Sequence, residues 1–212
     1  MRVILLDNRD SFVYNLVDQF AVLGAGIEVY RNTVPAARVL KALEPTREES
    51  AHGERPVLAL SPGPGHPRTS GCLMELVITA LADSIPTLGI CLGFQAIVEA
   101  CGGDVDRVGP VHGRSVRVAL TEAGRADAAF AVLQGEPLDV ARYHSLGTRE
   151  LPQALTCLAR TIEADGTGVV MAARHAVAPV VGLQFHPESV LTPYGPGILR
   201  SLTDELATAR PV

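Results

Sequence analysis

The stretch IPTLGICLGFQAIVEACGG, residues 85–103, decides how this chain is organised. It begins as a short apolar run, IPTLGI, with the character of a buried strand. It then passes through Gly89-Ile90-Cys91-Leu92-Gly93 and continues at helical spacing from Leu92 to Cys101, where Gly102-Gly103 ends the pattern. A strand that turns directly into a helix is one unit of a βαβα rhythm, and that rhythm, where it repeats, implies a parallel sheet covered by helices. The residues around Cys91 have the form Gly-x-nucleophile-x-Gly, in which small flanking residues permit a sharp bend. Two readings of Cys91 stay open from this stretch alone. It is a small buried hydrophobe at a tight turn, or a nucleophile held on the bend. In the second reading the helix N-terminus favours the thiolate, and the Leu92 N–H is left free to stabilise an oxyanion.

Working outward, the same rhythm fills the first half. RVILLD reads as a buried first strand, and Ser11 is placed to cap a helix carrying Val13, Leu16, Val17, Phe20 and Leu23 on one face, with Gly24 near its end. GIEVYRN is a second strand, Pro35 to Leu43 a helix, PVLALSPGPG a strand entering a stiff loop, and Ser70 to Ala82 another helix. The polar EPTREESAHGER segment (44–55) reads as a solvated loop or frayed helix end. In the second half RSVRVAL, LDVARYH, ALTCLAR, GVVMAAR and PVVGLQFH are strands at hairpin spacing, some of them antiparallel, before a final helix from about Gly197 to Ala207.

Composition bounds the function. The 212 residues suffice for one sizeable core, and 47% hydrophobic with 19% charged residues is an ordinary globular balance. A net charge of −5 offers no electrostatic case for nucleic acid or anionic membranes. The N-terminus is apolar for only a few residues before Asp7, too short for a signal peptide or a membrane span. Cys72, Cys91, Cys101 and Cys157 follow no ligand-like spacing, so a disulfide framework or structural metal site is not expected, and the default compartment is a reducing cytoplasm. Cys72 and Cys101 fall in helical patterns and Cys157 in a strand, and all three read as packing residues.

A thiolate nucleophile needs a base, and the base needs an orienting group. GLQFHPESV offers both: an apolar strand ends in His186-Pro187-Glu188, and residues two apart on an extended chain share a side. Glu188 can then hold one imidazole nitrogen while the other faces Cys91, with Pro187 stiffening the arrangement. The competing reading is a solvated strand end. SPGPGHP (61–67) also follows a strand, and its glycine N–H groups can approach a ligand closely or simply form a surface turn.

Together these segments resemble the class I glutamine amidotransferases over nearly the whole chain, in the family's order: SPGPG is similar to its oxyanion loop, GICLGFQ to its nucleophile elbow, GLQFHPES to its His-Glu segment. LLDNRDSFVYNL (5–16), VHGRS (111–115) and RYHSL (142–146) are similar to the branch of anthranilate synthase and aminodeoxychorismate synthase small subunits. The resemblance implies a flavodoxin-like α/β fold: a mostly parallel central sheet flanked by helices, with an additional small antiparallel sheet, in a single domain over 1–212. It implies a Cys91-His186-Glu188 triad, oxyanion donors at Gly63 and Leu92, and glutamine contacts at Gly63, Pro64, Gly65, Gln95, Ser145 and Leu146. It implies hydrolysis of L-glutamine to glutamate and ammonia without metal or cofactor, and a chorismate-using synthase subunit as ammonia acceptor, since the chain has no second catalytic unit of its own. One departure stands out: the branch usually carries histidine at the position of Phe94. A stand-alone γ-glutamyl hydrolase of the same fold and a catalytically silent binding subunit are the rival readings.

Overall fold

The computed structural model of the protein describes residues 1–109, 113–163 and 168–210. Val111 and His112 of the VHGRS segment therefore lie outside the described residues. The first half runs β1 (Arg2–Asp7), α1 (Val13–Val22), β2 (Gly26–Arg31), α2 (Ala36–Ala42), α3 (Arg47–His52), β3 (Val57–Leu60), α4 (Leu73–Ala82), β4 (Thr87–Ile90) and α5 (Leu92–Ala100). The second half runs β5 (Asp106–Arg107), β6 (Arg114–Leu120), α6 (Glu122–Ala126), β7 (Leu138–Arg142), β8 (Leu146–Gly147), β9 (Leu155–Thr161), β10 (Val170–His175), β11 (Val180–Leu183) and α7 (Gly195–Ala207).

The described strands form a nine-stranded sheet in the order β2-β1-β3-β4-β11-β10-β9-β6-β7, and β5 and β8 form a separate two-stranded antiparallel sheet. From β2 to β11 all neighbours are parallel. The hairpin-spaced strands of the second half, β10, β9, β6 and β7, extend this same sheet by antiparallel pairing. The α/β architecture expected from the sequence is present, small antiparallel sheet included.

The parallel strands are buried on both faces, which is why their sequences read as continuous apolar runs. Alternate residues of one strand feed opposite cores. Val3 and Leu5 pack with Leu16 and Phe20 of α1 and with Ile198 and Leu202 of α7. Ile4 and Leu6 pack with Val39 of α2, Leu76 of α4 and Ile97 of α5.

Two local expectations are corrected. Ser11 does not cap α1: the helix begins one residue later, with Phe12 at the cap position and no side-chain cap bond. The local bond comes instead from Asp10, whose Oδ1 accepts the Phe12 N–H at 2.7 Å. The 44–55 segment contains a well-formed helix, α3, with a reciprocal capping box between Thr46 and Glu49. Glu49 also accepts from Arg2 Nε at 3.0 Å, tying this exposed helix to β1. No residue of α3 is buried, so its apolar periodicity was too weak to read.

Candidate active site

The site is assembled at the carboxyl ends of three adjacent parallel strands, where open α/β sheets bind ligands. The SPGPGHP loop leaves β3, Cys91 follows β4, and His186 follows β11. The register Gly89↔Gly182 and Ile90↔Leu183 brings the ends of β4 and β11 level, and the Cys91 N–H donates to the Leu183 carbonyl at 2.8 Å.

Cys91 sits at φ 52° and ψ −98°, a strained conformation for a non-glycine residue. The flanking glycines make the bend possible. A Cβ on Gly93 would lie 2.5 Å from the Leu60 carbonyl oxygen, and one on Gly89 would lie 2.6 Å from Ile97 Cδ1 and 2.7 Å from the Gly93 backbone. The chain thus turns within contact distance of β3 and its own next helical turn. Strain of this kind persists only when the surroundings over-determine it, and it concentrates at functional sites. Cys91 is also buried, at 7% exposure, as the reading of a small buried hydrophobe at a tight turn expects; that reading supplies no cause for the strain.

The His186–Glu188 pair forms, but not on an extended strand. β11 ends at Leu183, and the following residues bend. Within that turn His186 Nδ1 lies 2.7 Å from Glu188 Oε1, with both side chains buried. The His186 carbonyl accepts from Thr192 Oγ1 at 2.7 Å, and the Tyr143 ring meets the imidazole edge-on at 4.9 Å. Nε2 of His186 has no hydrogen-bond partner among the described residues. Burial by itself disfavours the imidazolium, but the neighbouring Cys91 and Glu188 outweigh it and hold the His186 pKa up at about 10. Cys91 is thus near enough to bias the charge on the ring.

A pocket opens beside these residues. Gly63, Pro64, Gly65, Cys91, Gln95, Ser145, Leu146 and His186 line it, so most of the residues singled out in the sequence border one space. Leu92 and Glu188, also expected at the site, do not line this pocket. Gln95, buried on α5, donates its amide to the Leu146 carbonyl at 3.0 Å and to Gln184 Oε1 at 3.3 Å.

Sequence reasoning missed Asp10, Phe12, Tyr143 and His144, which also line the pocket. Asp10 and Phe12 belong to the LLDNRDSF segment, and Tyr143 and His144 to RYHSL, so the motifs were seen without these roles. His144 is buried; Nδ1 bonds the Leu146 carbonyl at 2.7 Å and its Nε2 has no partner among the described residues. Burial, reinforced by the Arg142 cation, pushes its pKa down to about 3, leaving a neutral ring. RYHSL begins at Arg142, the last residue of β7, an edge strand of the sheet. It reaches the site because the His186 N–H donates to the Ala141 carbonyl at 3.3 Å and the Ala141 N–H to Thr192 Oγ1 at 3.0 Å.

A cysteine on a helix N-terminus and a histidine paired with a buried carboxylate, both lining one pocket, are the groups that acyl transfer on a carboxamide requires. Comparisons with known proteins point the same way. The family described as glutamine amidotransferase class-I matches residues 4–206. Anthranilate synthase component 2 of Corynebacterium glutamicum is 43% identical over 96% of this chain and 97% of its own. The pyocyanine-specific anthranilate synthase component 2 of Pseudomonas aeruginosa is 42% identical over 95% of this chain and 92% of its own. In fold, a glutamine amidotransferase from Thermotoga maritima superposes with a TM-score of 0.70 at 20% identity, covering 99% of both chains. No helix among the described residues is long and apolar enough to cross a membrane. With its family match spanning nearly the full length, the chain belongs to the class-I glutamine amidotransferases.

Proposed function

We propose that the whole chain acts as one glutaminase domain that hydrolyses L-glutamine and hands the ammonia to a chorismate-using synthase subunit in the cytoplasm. The observation that carries this reading is the meeting of a strained Cys91 with the buried His186–Glu188 pair at the ends of neighbouring strands. In the first step the Cys91 thiolate attacks the side-chain carboxamide carbon. The oxyanion that forms is held by the N–H groups of Leu92 and Gly63; losing one such donor typically costs on the order of 10²–10³ in rate. His186 protonates the departing ammonia, leaving a γ-glutamyl thioester, and then takes a proton from water as it attacks. Glutamate leaves, and the thiolate is restored. Glu188 orients and stabilises the imidazolium throughout. Gly63, Pro64, Gly65, Gln95, Ser145 and Leu146 hold the amino-acid part of the substrate.

The names of the relatives favour anthranilate over aminodeoxychorismate as the aminated product. Exposed apolar side chains at Phe12, Tyr14 and Val190 supply the kind of surface a synthase subunit covers. A glutaminase without an acceptor would waste glutamine, so activity is low alone and rises in the complex. The test is glutamate release by the purified chain, alone and with candidate chorismate-using subunits in the presence of chorismate, against a Cys91→Ser control. Activation by one partner, with its aminated product identified, supports the reading. Turnover equal to the Cys91→Ser control with every partner returns the chain to a silent binding subunit.

A further inference from the structure

We propose that Asn8, just past the end of β1, is a positioning residue for the oxyanion loop; the proposal rests on the glutaminase reading above. Asn8 is buried, at 2% exposure. The backbone ladder between β1 and β3 ends with the Ser61 N–H donating to the Leu6 carbonyl at 3.1 Å. Asn8 carries the connection beyond the strand ends into the loop. Its backbone N–H donates to Ser61 Oγ at 2.8 Å, and its side-chain Nδ2 donates to the Ser61 carbonyl at 2.9 Å. Ser61 Oγ in turn donates to the Pro62 carbonyl at 2.7 Å, so both peptides leading to Gly63 are gripped.

The grip is also steric. A Cβ on Gly63 would lie 2.6 Å from the Asn8 carbonyl oxygen, 2.7 Å from Asn8 Cβ and 2.9 Å from Leu92 Cδ2. Gly63 is therefore wedged between Asn8 and the first residue of α5, so the two oxyanion donors are spaced by what Asn8 holds. On its far side Asn8 Oδ1 accepts a long, 3.5 Å bond from Asn32 Nδ2, while the Asn32 N–H donates to the Asp7 carbonyl at 3.0 Å. A carboxamide suits this place because it donates to the loop and accepts from Asn32 at once. An oxyanion donor displaced by a fraction of an ångström loses most of its value, because preorganisation is what makes it effective.

The test uses the full-length chain as wild type, Asn8→Asp, Asn8→Ala and Cys91→Ser. Asn8→Asp keeps the shape and the acceptor to Asn32 but turns an oxygen toward the Ser61 carbonyl. Four quantities are read: kcat and KM for glutamine, affinity for L-glutamate γ-semialdehyde, and the alkylation rate of the Cys91 peptide by iodoacetamide. The aldehyde forms a tetrahedral adduct whose oxygen needs the oxyanion donors, whereas iodoacetamide reacts at saturated carbon and needs none. Both Asn8 variants should lose about 10- to 100-fold in kcat and in aldehyde affinity, with KM and alkylation rate within about twofold of wild type. Unchanged kcat and aldehyde affinity in both variants overturn the proposal. So does a parallel fall in alkylation rate, which would mean that Asn8 supports the elbow generally. If wild type binds the aldehyde no better than Cys91→Ser does, the glutaminase reading itself fails, independently of Asn8.

Discussion

Phe94 packs against the backbone of Gly182: a Cβ on that glycine would overlap Phe94 Cδ2 and lie 3.2 Å from Cγ. The ring is fully buried between α5 and β11, inside the core cluster and outside the pocket beside Cys91. The departure from the branch pattern at this position is therefore a matter of core packing. Gly182→Ala should destabilise the fold by about 1–3 kcal/mol through overpacking, read as a lower urea midpoint. Phe94→His should also lower stability while leaving glutamine turnover within a few-fold of wild type; a large loss of kcat would give Phe94 a part in the chemistry.

The strain at Cys91 makes an inverted prediction about alanine and glycine. In ordinary secondary structure glycine is the less stable of the two by roughly 0.5–1 kcal/mol. At φ 52° and ψ −98° the Cβ is the source of the cost. Cys91→Gly should melt above Cys91→Ala, by about 1 kcal/mol, with both inactive. The opposite order in calorimetry would show that the bend is not strained in solution.

Removing the charge on Glu188 tests the buried pair without changing its shape. With Glu188→Gln the imidazolium loses the carboxylate that helps hold its pKa at about 10. The glutaminase kcat should fall by about 10²–10⁴, with KM little changed. A KM increase at constant kcat would place Glu188 in substrate binding instead.

Two histidines give stability a pH profile with limbs of opposite sign. His144 keeps a folded-state pKa of about 3 against an ordinary value of 6.5, mainly through burial. As pH falls from 6.5 toward 3 the unfolded chain binds a proton that the folded chain refuses, so stability drops. His186 is raised to about 10, against its own burial, by Cys91 and Glu188; its contribution is complete below 6.5 and is lost as pH rises through 10. Each limb is at most about 1.4 kcal/mol per pH unit. Urea midpoints across pH should show His144→Gln flattening the acid limb and His186→Gln the alkaline one. Unchanged limbs in these variants would assign the profile to other groups.

Much of this was legible in the sequence because it is local. The continuous apolar runs of β1, β3, β4 and β11 follow from burial on both faces. The Gly89-Ile90-Cys91-Leu92-Gly93 bend is a contiguous pattern, although the close approach that requires Gly93 is to Leu60 of β3. His186 and Glu188, two positions apart, needed only a turn to meet. The family's motifs supplied most of the pocket for the same reason, since each is a short loop at a strand end.

The tertiary structure alone decided what lies beside what. No local pattern says that β11, some ninety residues after β4, pairs with it in register, or that edge strand β7 returns RYHSL to the pocket. Nor does any pattern say that Asn8 grips Ser61, or that Tyr143 stands edge-on to His186. Residues 53 and 43 positions apart meet there, and such contacts are selected by total burial and strand pairing, which must offset the entropy of closing the intervening loops. Periodicity reports which face of an element is apolar; only the packed sheet fixes which element that face will find.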